Sequence, residues 1–223
     1  YKKRVDRKYL EGRTYKDYKS YLSDHPEVFV TQMDTVYNDE TNGPFLQTFK
    51  FVRAGILLAL YRNEKTSASM KEGIDILESI LGTELFRKYV HVLLTDRGTE
   101  FSAAEAMETA CDGSGSRRTR VFYCDPMQSG QKGTLENKHI ELRYILPKGT
   151  DLRGLGLASQ SELNLVLSHV NSSPCELLGN KSPLELTEFM YQDLYEKLLA
   201  FGIHPIEKDQ IILKPYLLKQ RNK

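Results

Sequence analysis

An α/β fold is predicted for this 223-residue chain: a mixed five-stranded sheet, helices on both of its faces, and a helical extension at the C-terminus. Three observations carry it. Three β-rich runs follow one another between residues 28 and 62 with short links. From Thr66 the apolar residues switch to helical spacing. Two further short strands then alternate with helical stretches, the pattern that builds parallel pairing into a sheet.

VFVTQMDTVY (28–37) is rich in β-branched and aromatic residues and reads as a strand. NDETNGP (38–44) is a turn in which Asn42-Gly43 is a hairpin signal. FLQTFKFV (45–52) and AGILLALYR (54–62) complete an antiparallel meander. Met70, Ile74, Leu77, Ile80 and Leu81 recur at helical spacing and Gly82 ends the run; TELFRKY (83–89) adds a short helix before the strand VHVLLT (90–95). SAAEAMETA (102–110) is predicted helical, with Ser102 as N-cap and Glu105 completing a capping box. RVFYC (120–124) is a strand, and a helix is expected from about Gly133 to Leu146, stopped by Pro147-Lys148-Gly149. Residues 159–173 and 182–202 read as helices, and DQIILKPYLL as a short extended segment. The order β-β-β-α-β-α-β-α-α is the layout of a ribonuclease H-like core. Residues 27–173 make up that core and 174–223 the helical extension.

Apolar residues at 40 % and charged residues at 27 % are those of a soluble globular protein, and 31 Lys/Arg against 30 Asp/Glu leave the whole nearly neutral. The charge is unevenly placed. Basic residues dominate the first twenty positions and the tail LKPYLLKQRNK, which suits contact with a polyanion. Residues 1–26 read as a basic linker, and YKKRVDRKY resembles the interior of a longer protein, so an upstream region is expected. Cys111, Cys124 and Cys175 form no CxxC pair, which favours a reducing compartment and argues against zinc. The longest apolar run, 54–61, is too short to span a bilayer, and no membrane association is expected.

In a ribonuclease H-like layout, the chemistry sits at particular element ends. The matching residues are Asp34 in TQMDTVY, Asp96 in LLTDRGTEF and Glu136 in KGTLENKHIELR. Singly, each has a plainer reading: a strand Asp on the polar face, an Asp before Gly capping a turn, a solvated helix Glu. Together, on the correct elements in the correct order, they form a carboxylate set for Mg²⁺ or Mn²⁺. Such ions bind through a few carboxylates, and two of them can serve the attacking and leaving oxygens of a phosphodiester. Lys132, Lys138, His139 and Arg143 cluster around Glu136. Arg143 falls two turns along the same face, placed to hold a phosphate, or else to make this a surface ion-pair helix. His139 is expected to be a surface residue.

The segments VTQMDTV, LLTDRGTEFS, the block from Arg117 to Leu152 and HVNSSPCELLGNKSPLEL resemble the catalytic region of insertion-sequence-thirty-type DDE transposases, from about Gly12 to the C-terminus. The resemblance implies that Asp34, Asp96 and Glu136 are the catalytic triad holding two Mg²⁺ or Mn²⁺ ions, with Arg143 the basic residue that follows the glutamate. It implies a DNA transposase core that hydrolyses phosphodiesters at transposon ends and transfers the freed strand to target DNA. The protein would work in the bacterial cytoplasm, associated with the nucleoid. Double-stranded DNA is the expected partner, held through Arg97, Lys132, Lys138, Arg143, Arg117, Arg118 and the N-terminal arm, with a homodimer or higher oligomer joining two ends. The resemblance also implies an N-terminal DNA-binding region, which nothing in residues 1–26 matches. Two departures stand out. Arg97 replaces the usual Asn after the second Asp and would compete with Mg²⁺ or clamp a phosphate. Met127 and Gly130 lie where the family has a Trp-containing stretch. Arg97 motivates an alternative, a catalytically impaired DNA-binding or assembly protein; a structure-specific nuclease on the same fold is another.

Overall fold

The computed structural model describes residues 8–222; the part of the basic arm before Lys8 lies outside the described residues. One sheet holds β1 (Val30–Val36), β2 (Phe45–Phe51), β3 (Ile56–Arg62), β4 (Val92–Thr95) and β5 (Arg120–Tyr123). Their spatial order is β3-β2-β1-β4-β5. The first three strands pair antiparallel, and β4 and β5 join parallel to β1, giving the mixed sheet expected from the sequence. Asp39 folds the β1–β2 connection: its Oδ1 accepts from the Thr41 and Asn42 amides, and Gly43 takes φ 63°.

Helix α1 (Tyr15–Asp24) starts with a capping box between Thr14 and Asp17. Its Tyr18 and Tyr21 pack on Phe122, within an apolar cluster that includes Val92 and Leu94. Residues that read as linker therefore lie against the sheet, and Arg13 clamps Glu108 through two hydrogen bonds of 2.8 and 3.2 Å. On the opposite face lie α2 (Ser67–Leu81) and α3 (Thr83–Tyr89). The α2 stripe of Met70, Ile74, Leu77 and Leu81 is at most 1 % exposed, so truncating one of these to Ala costs about 2–5 kcal/mol.

Helix α4 (Ala104–Glu108) is shorter than expected and does not begin at Ser102. That serine already has helical dihedrals and closes the preceding 3₁₀ turn by donating its hydroxyl to Thr99 O (2.7 Å). It cannot also cap, and Ala103 takes the N-cap position with no side-chain bond. Helix α5 (Gly133–Ile145) is where the sequence places it, and α6 (Gln160–Ser172) packs beside it. The single helix expected over 182–202 is two: α7 (Pro183–Met190) and α8 (Gln192–Phe201). Tyr191 breaks them apart with φ −138° and ψ 55°, because its ring is wedged edge-on against Phe29 and Tyr89. In the last segment 3₁₀ turns at Lys208–Gln210 and Pro215–Asn222 flank a short irregular stretch that begins with Ile211 in extended conformation; the Ile212 amide donates to His169, and just before the segment the His204 and Ile206 amides donate to Ser168 and Ser172 of α6. No helix among the described residues is long and apolar enough to cross a membrane.

Candidate functional site

Asp34 sits in the middle of β1, Asp96 directly after β4 and Glu136 on the first turn of α5. Strand alternation puts Gln32 and Asp34 on one face, the face α5 covers. Gln32 Oε1 fixes the start of that helix by accepting from Thr134 Oγ1 (2.7 Å) and the Leu135 amide (3.0 Å). Thr48, opposite Asp34 in register, donates its hydroxyl to the Asp34 carbonyl (3.1 Å) and lies 3.0 Å from His139 Nε2. With its one proton used there, Thr48 accepts from His139, which assigns the neutral Nε2–H tautomer. Burial pushes the His139 pKa down to about 4, against the pull of Asp34, with Lys132 and Arg143 lowering it further. His139 is therefore a half-buried brace between α5 and β2, not the surface residue expected.

Asp96 does two jobs with its two oxygens. Oδ1 accepts from the Gly98 amide (2.8 Å) and caps the turn. Oδ2 is left facing the site. A Cβ at Gly98 would lie 2.5 Å from Glu100 Oε2 and 3.0 Å from Asp96 Oδ1, so a side chain there would have to displace the Glu100 carboxylate.

Between the two aspartates lies the side chain of Lys132, 5 % exposed. Its Nζ is 2.9 Å from Asp34 Oδ2, 3.3 Å from Asp96 Oδ2 and 3.4 Å from Met33 O. Burial alone pulls the Lys132 pKa down, but Asp34 and Asp96 together more than reverse this, and it is raised. Two carboxylates from neighbouring parallel strands thus converge on one cation. That convergence is what a hard divalent ion requires, so the residues present fit Mg²⁺ or Mn²⁺. Glu136 follows Lys132 by four residues, one turn along α5. Among the described residues, no three His, Cys, Asp or Glu side chains already stand close enough to hold a metal.

The basic residues expected to meet DNA divide sharply. Arg97 is turned from Asp96: its Nε donates to Cys124 O (2.9 Å) and its Nη2 to Asp125 Oδ1 (3.1 Å), tying β4 to the end of β5. Arg143 donates to Tyr37 O (3.0 Å), Leu146 O (3.3 Å) and Asn38 Oδ1, stapling the end of α5 to the end of β1. Lys138 is 6 % exposed and bonds Glu141 (2.6 Å) and Val170 O (3.4 Å). It lies near Lys50, whose pKa is driven down to about 7 by burial and then by Lys138 itself.

Arg118 corrects its sequence reading most clearly. Its side chain is fully buried and donates to Glu78 Oε2 (2.8 Å) and Met107 O (2.9 Å). Its Nη2 is 2.8 Å from Asp75 Oδ1, within ion-pair range but out of line for a hydrogen bond. Such a guanidinium has no access to a phosphate. Arg117, with a side chain 52 % exposed, does. Sequence reasoning missed Thr48 and Asn38, polar residues whose partners lie on α5 or just beyond it; nothing in their local sequence marks them.

No family model matches the chain. Over 94 residues it is 39 % identical to the transposase for insertion sequence element IS1086 of Cupriavidus metallidurans, covering 42 % of this chain and 25 % of that protein. Over 73 residues it is 37 % identical to the InsI transposase for IS30A of Escherichia coli, covering 33 % and 18 %. The chain thus matches a quarter or less of the length of these relatives. Among solved structures, the catalytic core domain of BIV integrase aligns at TM-score 0.51 and 21 % identity over 74 % of this chain and 97 % of that one. A simian T-cell lymphotropic virus intasome aligns at TM-score 0.54 and 18 % identity over 70 % and 53 %. These likenesses give the fold, the ribonuclease H-like sheet expected from the element order. Over these stretches the chain is similar to insertion-sequence transposases.

Proposed function

We propose that this chain is a transposase catalytic core, with Asp34, Asp96 and Glu136 as its metal-holding carboxylates. The observation that carries it is the meeting of Asp34 Oδ2 and Asp96 Oδ2 at a single cation, the Lys132 ammonium. When bound, two Mg²⁺ or Mn²⁺ ions would polarise the scissile phosphodiester and activate the attacking and leaving oxygens.

The chain's own residues supply position. Asp34 is paired with Thr48 of β2, which also bonds its carbonyl, and its Oδ1 accepts from the Thr35 amide (2.8 Å), so its carboxylate is oriented before substrate arrives. Asp96 is oriented by its turn. Glu136 rides on a helix whose start is pinned by Gln32 and whose end is pinned by Arg143. Duplex DNA would lie over this end of the sheet; exposed Arg117, just before β5, lies at the opposite end from Asp96 and would meet only phosphates of DNA that extends that far. Joining two DNA ends calls for more than one copy of the chain.

The test uses duplexes carrying the element's terminal repeats, with Mg²⁺ or Mn²⁺, scored for end cleavage and for joining to target DNA. Alanine at Asp34, Asp96 or Glu136 should lower both by roughly a hundredfold or more. Undiminished cleavage in any of the three variants removes that residue from the site.

A further inference from the structure

We propose that Lys132 is the resident cation of the metal-free site, holding Asp34 and Asp96 together until a divalent ion displaces it, so that it sets metal affinity by direct competition. This rests on the reading of Asp34 and Asp96 as metal ligands.

An ammonium has three donors, and here three acceptors surround it: Asp34 Oδ2 at 2.9 Å, Asp96 Oδ2 at 3.3 Å and Met33 O at 3.4 Å. The side chain is 5 % exposed, so its charge is not a solvated surface charge that happens to lie nearby. A divalent ion bound by the same two oxygens, at about 2.1 Å from each, would have to occupy the space the ammonium fills. Two cations cannot share it, because at that separation in a partly desolvated pocket their repulsion is large. Metal entry therefore means lysine exit.

The position of Lys132 in the chain gives its exit a consequence. It belongs to the 3₁₀ turn Ser129–Lys132, which runs directly into α5, and Glu136 lies one turn further on. The lysine takes the place beside the two aspartates, and among the described residues no third His, Cys, Asp or Glu stands with them in a metal-holding group. Withdrawing the lysine opens that place to Glu136 from the same helix. It also frees a cation beside the metal site, where a DNA phosphate would lie.

Manganese binding, followed by calorimetry or by the EPR signal of free Mn²⁺, tests this without any turnover. Wild type is compared with Lys132→Met, Lys132→Gln and Asp34→Asn, each checked for folding by circular dichroism. Both Lys132 variants should bind Mn²⁺ roughly tenfold or more tightly, since two charge-assisted bonds no longer oppose the ion. Both should also melt at lower temperature in chelator and gain more from Mn²⁺ than wild type does. Asp34→Asn should bind far more weakly. If Asp34→Asn loses Mn²⁺ while both Lys132 variants bind it no more tightly than wild type, the competition is overturned and the metal site stands. If Asp34→Asn binds Mn²⁺ as wild type does, the metal site itself is wrong.

Discussion

Replacing Arg143 with Met keeps an unbranched apolar stem and removes the donors, which separates two roles for this residue. As a phosphate clamp, Arg143 would matter only when DNA is bound. Instead, its guanidinium donates to Tyr37 O, Leu146 O and Asn38 Oδ1, and Asn38 in turn donates to Pro147 O (2.7 Å) and Thr150 O (2.9 Å). The cluster joins the end of β1 to the end of α5, so the variant loses a hub. Hydrogen bonds to a charged group contribute about 1.5–3 kcal/mol each and are not additive, so the loss is set at about 2–4 kcal/mol. For a chain of this size that lowers Tm by roughly 5–15 °C. Scanning calorimetry reads the shift. A DNA titration across salt concentrations reads the other role, because each lost phosphate contact reduces the slope of log K against log salt by about 0.9. The staple predicts a large fall in Tm and an unchanged slope. A Tm within a degree or two of wild type, with the slope reduced by about one, would refute it.

Three further outcomes follow from the same geometry. Arg118→Met strands Glu78 in the core and should cost about 3–5 kcal/mol in urea unfolding, much of it recovered by adding Glu78→Leu; equal costs for the single and double variants would deny the pair. His139 has its pKa depressed to about 4, so the folded protein takes up this proton later than the unfolded chain. Its stabilisation is therefore complete above about pH 6.5 and is lost as pH falls from there towards 4, by up to about 3 kcal/mol. In chelator, wild type should lose that much more stability than His139→Gln across the same range, and matching pH profiles would contradict this. Arg97→Asn should leave Mn²⁺ affinity within twofold, roughly the spread of ordinary context effects, because the guanidinium faces Cys124 O and Asp125; a tenfold gain would return Arg97 to the role of competitor.

Much of this site is legible in the sequence because sheet topology follows from periodicity. Once three strands read as a meander and two as alternating with helices, Asp34, Asp96 and Glu136 fall at defined places: within the first strand, after the fourth, and on the first turn of a later helix. What sequence does not carry is the direction of a long cationic side chain. Lys132, Lys138, Arg143, Arg117 and Arg118 all read as DNA contacts, yet four of the five point inward to partners 20 or more residues away, or to the helix beside them. A signal for Arg118 did exist: Glu78 interrupts the buried α2 stripe between Leu77 and Leu81, and a carboxylate on an apolar face needs a partner. Residues 184–201 contain no glycine or proline, so the break at Tyr191 is set by tertiary packing against Phe29 and Tyr89.

The central claim is that Asp34 and Asp96 form one cation site that Lys132 holds in the absence of metal. Anomalous diffraction from crystals soaked in MnCl₂ tests it most directly. A manganese peak is expected at about 2.1 Å from Asp34 Oδ2 and Asp96 Oδ2, with the Lys132 ammonium withdrawn. Lys132 still bonded to both aspartates, with manganese absent there or bound elsewhere, would contradict it.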